Sequence, residues 1–371
     1  MSIKVGLVGL PNVGKTSFFN SLTGSSAKAE NFPFCTIDPN KSYFHTNDTR
    51  ILKLCEVDNP KNVVYPIIEV YDIAGLIKGA SNNEGLGNQF LSHIKEVDII
   101  INVIRFFENN KITHVNNVIN PVDDLETINI ELRLKDLETI NNRKNKISKQ
   151  SKSGNETLKK EIDILTKFEE ALNKNIDIRD ITADNCSEDE LNILKELQLL
   201  SQKPVIYIGN ISENQIDLNN TNKPIIDEKI NTFLKKTNIS KNDIIFIPVE
   251  IGTLINELTE EEKKENVNYV NLWNEMLNIL SNTIFKKLNI ITFYTSGEDE
   301  VRGWNVKNGV TAKTAAGVIH SDFEKHFIKV EVCKFEEYYS AKKNNINPHF
   351  TTFGKDYIIQ DGDVVYFKVN A

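Results

Sequence analysis

At 371 residues the chain is too long for one ordinary domain, and roughly 150 residues per domain gives an expectation of two to three. Acidic side chains number 52 against 44 lysines and arginines, a net charge of -8, which excludes a protein that coats duplex nucleic acid by bulk charge but leaves room for a local basic patch. Apolar residues make up 40% and charged residues 26%, the balance of a globular chain with a sizeable core, and no run of 18 apolar residues predicts a membrane-spanning helix.

The opening apolar stretch ends at Leu10-Pro11, too short for a signal peptide. Cys35, Cys55, Cys186 and Cys333 are scattered with no CxxC pair or metal-ligand spacing, which suits reduced thiols in a cytoplasmic protein. The first third alternates strand-like and helix-like segments: Ile3 to Val8, then a helical Ser17 to Leu22, then β-rich Val63 to Tyr71 and Val97 to Phe106. Strands separated by helices imply parallel βαβ units with both sheet faces covered.

Near residue 125 the texture changes. Ile130, Leu134 and Leu137 recur at helical spacing, as do Leu158, Ile162, Leu165, Phe168 and Leu172. Between these series, Asn141 to Lys160 holds seven basic residues and one acid, Glu156. The pattern predicts two long helices joined by a basic connection and packed as an antiparallel hairpin, since each has one apolar stripe. Strand texture returns in Pro204 to Asn210 and Asn242 to Val249, so the hairpin interrupts the α/β domain; a closing helix spans Tyr269 to Phe285. A last unit of about 85 residues is β-rich, with strands predicted at Ile290 to Thr295, His326 to Cys333, Tyr357 to Gln360 and Val364 to Val369, and a hairpin turn at Asp361-Gly362.

The chemistry concentrates in Gly9-Leu10-Pro11-Asn12-Val13-Gly14-Lys15-Thr16, which fits G-x-x-x-x-G-K-[ST] between a strand and a helix. In such a loop, glycines let backbone N–H groups turn inward around phosphate oxygens, and the new helix adds its positive N-terminus. Asn12, Val13, Gly14, Lys15, Thr16 and Ser17 are therefore the expected phosphate-binding residues, with Lys15 on the β- and γ-phosphates and Thr16 on Mg²⁺. Asp72-Ile73-Ala74-Gly75 supplies D-x-x-G at the end of a strand, 57 residues after Lys15: Asp72 for the magnesium shell, Gly75 to sense the γ-phosphate. Thr36, in the intervening loop, is the third candidate magnesium ligand, and Gly79, Gly85 and Gly87 suit a loop ordered by triphosphate.

Two positions depart from the common GTPase pattern. Leu76 stands where a glutamine would orient water, so hydrolysis is slow or another residue acts; His114, after the third strand, is the candidate. The fourth strand ends Asn210-Ile211-Ser212-Glu213 in place of N-K-x-D, and Glu250-Ile251-Gly252 replaces the usual base-packing loop. Moving the carboxylate that accepts guanine's two donors costs discrimination, which tilts the base site toward ATP and leaves GTP open. Asn210, Ile211 and Glu213 are the expected base contacts.

Together these motifs resemble the Obg-like ATPase family, YchF type, in the translation-factor class of P-loop GTPases. The resemblance covers almost the whole chain. It extends to Phe106-Phe107-Glu108, Ile112-Thr113-His114-Val115, and, in the last unit, Gly297 to Trp304 and Ala315 to Glu324, which look like a TGS domain. It implies an α/β P-loop NTPase fold over 1–127 and 201–286, an inserted antiparallel coiled-coil hairpin over 128–200, and a C-terminal β-grasp TGS domain over 287–371. It further implies a Mg²⁺-dependent ATP-hydrolysing switch, a monomer, that associates with ribosomes, touching RNA through the basic hairpin and the TGS face. A nucleotide-gated binding module with incidental hydrolysis and a true GTPase are the competing readings.

Overall fold

The computed structural model describes residues 3–24, 41–46, 48–73, 96–109, 112, 118–150, 156–182, 186–217, 224–225, 227–237 and 239–370. A six-stranded sheet is built from β1 (Ile3–Val8), β2 (Lys41–His45), β4 (Ile67–Asp72), β5 (Ile99–Arg105), β6 (Val205–Asn210) and β7 (Ile244–Ile247), in the order β2-β4-β1-β5-β6-β7. Every neighbouring pair is parallel except β2 with β4. All seven residues of β5 are buried, as expected for a central parallel strand covered on both faces. The helices that cover this sheet include α1 (Lys15–Gly24), α7 (Glu228–Thr237), α8 (Val249–Glu257) and, after the short α9 (Glu260–Glu265), α10 (Val267–Leu288). Phe106 packs edge-on against Phe233 and Phe246, centroids 5.2 and 5.3 Å apart, which fixes the exit of β5 against α7 and β7.

The insertion is helical: α3 (Pro121–Gln150), α4 (Glu156–Asn173), α5 (Ile178–Thr182) and α6 (Glu188–Leu197). Arg133 bonds Asp177 and Arg143 bonds Glu161, both at 2.8 Å or less, so the two long helices run antiparallel. Ile140, Ile147, Leu165, Phe168 and Leu172 form their seam together with Leu194 of α6. α3 continues to Gln150 and α4 starts at Glu156, so most of the basic stretch is helix rather than connection. Asp136, almost fully buried on α3, accepts from the Leu200 and Ser201 N–H groups at 2.7 Å each and so ties the insertion to the chain that leads into β6.

The C-terminal sheet runs β11-β10-β12-β8-β9-β3, from β8 (Ile290–Ser296), β9 (Glu300–Lys307), β10 (Phe327–Lys334), β11 (Thr351–Phe353), β12 (Asp363–Val369) and, from the N-terminal third, β3 (Asn62–Val64). Val63 to Tyr71 is thus two strands in two sheets, parted at Pro66, which lacks the donor that a continuous ladder needs. β3 pairs parallel with β9 from Asn62↔Glu300 to Val64↔Arg302. The preceding helix α2 (Thr49–Asp58) packs on the same unit, with Ile51 and Leu54 in a cluster with Tyr294, Phe335 and Tyr338. A Cβ on Gly303 would stand 2.9 Å from Pro66 Cγ, so the approach of β9 to this segment requires glycine. Asp361-Gly362 is a turn, with Gly362 at φ 81°, but it does not join a hairpin: the chain before it makes an isolated bridge, Thr311 to Ile358, and β12 pairs with β10 and β8.

Candidate nucleotide site

The site sits where β1 and β4 end side by side, with Leu7 in register with Asp72. β1 runs into a loop with two left-handed residues, Asn12 (φ 63°) and Gly14 (φ 93°), and α1 starts at Lys15. A Cβ on Gly14 would lie 2.2 Å from the Asn210 Nδ2, so both the positive φ and the approach demand glycine. The Lys15 ammonium pairs with the Asp72 carboxylate, both side chains mostly buried, and the Thr16 hydroxyl lies 3.5 Å from the other Asp72 oxygen. Asn12, Thr16 and Ser17 are exposed at the mouth, and Val13 is fully buried beneath it. A hydroxyl beside a carboxylate fits Mg²⁺, which keeps several waters and takes further ligands from phosphate. Among the described residues no cluster of three His, Cys, Asp or Glu side chains forms a metal cage.

Asn210, at the end of β6, is buried and joins three parts of the site. Its Nδ2 donates to the Val13 carbonyl at 2.9 Å, and its Oδ1 accepts the Val249 N–H at 3.3 Å. Its own carbonyl accepts the N–H groups of Phe106 and Phe107 at 2.8 and 3.1 Å. Asn210 thus ties the Gly9–Thr16 loop to the start of α8 and to the exit of β5. Ile211 is buried in the core and its N–H bonds the Ile247 carbonyl at 3.1 Å. Glu213 is exposed and accepts a hydrogen bond from the Tyr269 hydroxyl of α10, an interaction that raises the phenol's pKa. Glu213 and Glu250 line one cleft of about 610 Å³, together with Ser212 and Asn214.

The structure therefore brings together Asn12, Val13, Gly14, Lys15, Thr16, Ser17, Asp72 and Asn210, with Glu213 on the neighbouring cleft. Thr36, Gly75 and His114 lie outside the described residues, as do Leu76 and Cys35. Two participants escape the sequence reading. Arg105 is buried at the end of β5 and donates to the Asn12 carbonyl; an arginine closing a strand otherwise reads as a surface charge. Tyr269 reaches Glu213 from a helix 56 positions later, and no local motif marks it.

The basic stretch on the insertion is partly neutralised. Arg143 pairs with Glu161 and Glu196, and Lys144 with Glu169. Lys146, Lys149, Lys159 and Lys160 are not so compensated: they carry no ion pair among the described residues, and all four are exposed. No helix among the described residues is long and apolar enough to cross a membrane.

Comparison with known proteins finds relatives along the whole chain. Residues 4–143 match the family model of a 50S ribosome-binding GTPase, and residues 290–370 match the YchF-GTPase_C model, described as a protein of unknown function (DUF933). The ribosome-binding ATPase YchF of Bacillus subtilis is 39% identical, with all of both chains covered. Obg-like ATPase 1 of rice, Oryza sativa, is 38% identical over all of this chain and 92% of its own. The solved structure of the Schizosaccharomyces pombe YchF GTPase superposes with a TM-score of 0.81 at 36% identity, covering 99% of this chain and 97% of that one.

Proposed function

The chain belongs to the YchF family of Obg-like ATPases, and from that premise we propose that it is a slow, Mg²⁺-dependent ATPase that acts as a nucleotide-controlled switch on ribosomes. The observation that carries the proposal is the meeting of Lys15, Thr16 and Asp72 at the adjacent ends of β1 and β4, with the phosphate loop latched by Asn210. In this reading the loop N–H groups and the start of α1 bind the phosphates, and Lys15 offsets charge that builds on the transferred group; catalysis is positioning and electrostatics. Thr16 and Asp72 would hold the magnesium ion, with Thr36 completing its shell, and the ion neutralises phosphate charge when bound. Gly75 senses the γ-phosphate and His114 orients the attacking water in place of the missing glutamine.

The preference for ATP rests on the base side. Ile211 is buried and leaves no cation to lie over a base, and the Glu213 carboxylate is engaged by Tyr269 rather than free for guanine's two donors. Two features support ribosome association: bacterial relatives are ribosome-binding ATPases, and four exposed lysines near the tip of the insertion suit a phosphate-rich surface. The GTPase reading is favoured by the names of the matched family model and of the yeast structure. Competition of ATP and GTP for one fluorescent nucleotide decides between them: tighter binding of ATP is expected, and tighter binding of GTP would overturn the assignment. Co-sedimentation with ribosomes in a non-hydrolysable ATP analogue against ADP tests the switch, and equal binding in both states would reject it.

A further inference from the structure

Arg105 is 1% exposed, and its guanidinium makes hydrogen bonds only to main-chain carbonyls among the described residues. Nε donates to Phe107 at 3.2 Å. Nη1 donates to Asn12 at 3.4 Å and to Ile112 at 3.2 Å. Nη2 donates to Asn109 and Ile112, both at 3.2 Å. The plane lies 4.3 Å from the centroid of the Phe107 ring. Burying a cation is costly unless its donors are satisfied, and a planar fork with five donors is the side chain that can satisfy four carbonyls at once. Asp124 attracts the charge through space.

The four acceptors are not scattered. One belongs to the phosphate loop, and three belong to the segment that leaves β5 and runs toward His114, two positions beyond Ile112. The geometry points to Arg105 as a positioning residue that sets the β5-exit segment against the phosphate loop, so that it governs turnover more than nucleotide affinity. This inference rests on the hydrolytic reading of the site. The phosphate loop keeps its second hold, Asn210 on the Val13 carbonyl, when Arg105 is changed, so phosphate binding survives while the exit segment loses its brace. Lysine cannot replace the fork, since an ammonium reaches one or two of the four carbonyls.

The test measures turnover and nucleotide affinity of Arg105→Lys and Arg105→Gly in the full chain. Turnover should fall by about tenfold or more in both while affinity stays within about threefold, the pattern of an interaction used in the transition state. Guanidinium ion at millimolar concentration should restore part of the turnover of Arg105→Gly, which a general loss of fold would not allow. Should Arg105→Gly be destabilised, Arg105→Lys keeps the charge and carries the same comparison. Lys15→Ala is the control on the underlying reading. If the wild type has no turnover that Lys15→Ala removes, the proposed function fails. If it has, and Arg105→Lys turns over like the wild type or loses affinity as much as turnover, the role of Arg105 fails alone.

Discussion

Asp58, at the end of α2, accepts the hydroxyl of Tyr338, 280 positions later, at 2.7 Å. The same carboxylate accepts the Ser296 hydroxyl and faces the Lys342 ammonium at 2.8 Å. Three donors from the C-terminal unit thus converge on one buried acid from the N-terminal third. Asp58→Ala removes the common acceptor and leaves buried hydroxyls unpaired, at a cost of about 3 kcal/mol. Denaturant unfolding followed by fluorescence should show that loss, and an unchanged midpoint would reject the role.

Asn210→Ala should weaken nucleotide binding by about tenfold, because the Val13 carbonyl and the Val249 N–H both lose a buried partner worth roughly 1–3 kcal/mol each. Titration with a fluorescent nucleotide reads this directly. Affinity equal to that of the wild type would mean that the phosphate loop holds its shape without the latch.

Tyr269→Phe deletes the hydroxyl that engages Glu213 and frees the carboxylate for donors on a bound base. The ratio of GTP to ATP dissociation constants should then fall by about threefold to tenfold, the scale of one hydrogen bond to a charged group. A ratio that does not move would separate Glu213 from base selection.

The Asp136 carboxyl is pushed up to about 6 by burial, against the opposing pull of its hydrogen bonds to Leu200 and Ser201 and of nearby Arg179. Its folded pKa therefore lies above its unfolded value, and the folded state binds the proton more tightly. Stability from this group is fully present below about pH 4 and is lost as pH rises through about 6. Asp136→Asn lacks the titration, so the wild-type advantage over the variant should shrink between pH 4 and pH 7, by on the order of 2 kcal/mol. Urea unfolding at both values checks the sign; a difference independent of pH would contradict it.

The phosphate loop and Asp72 were legible because their chemistry fixes residue types at short spacing: two glycines, a lysine and a hydroxyl between a strand and a helix. The insertion was legible because apolar residues at Leu165, Phe168 and Leu172 repeat at helical intervals along its seam. Arg105 was not, since four backbone acceptors leave no trace in side-chain identity. Nor was the fate of Val63, because parallel pairing with Val301 depends on a contact 238 positions away, and the single local clue was Pro66. The Asp361-Gly362 turn was read from its dipeptide, but turn chemistry does not say which strands flank it.

The docking of β3 at the edge of the C-terminal sheet and of α2 on its face decides where the chain can be cut. A fragment starting at residue 287 would lack the strand that pairs with β9 and the acid that Tyr338 and Lys342 meet. The complementary fragment would leave Ile51 and Leu54 facing water. Neither piece is a closed folding unit, so deletion phenotypes at that boundary report broken halves rather than missing modules. A fusion that joins residues 48–64 to 290–370 keeps the contacts of the C-terminal sheet together.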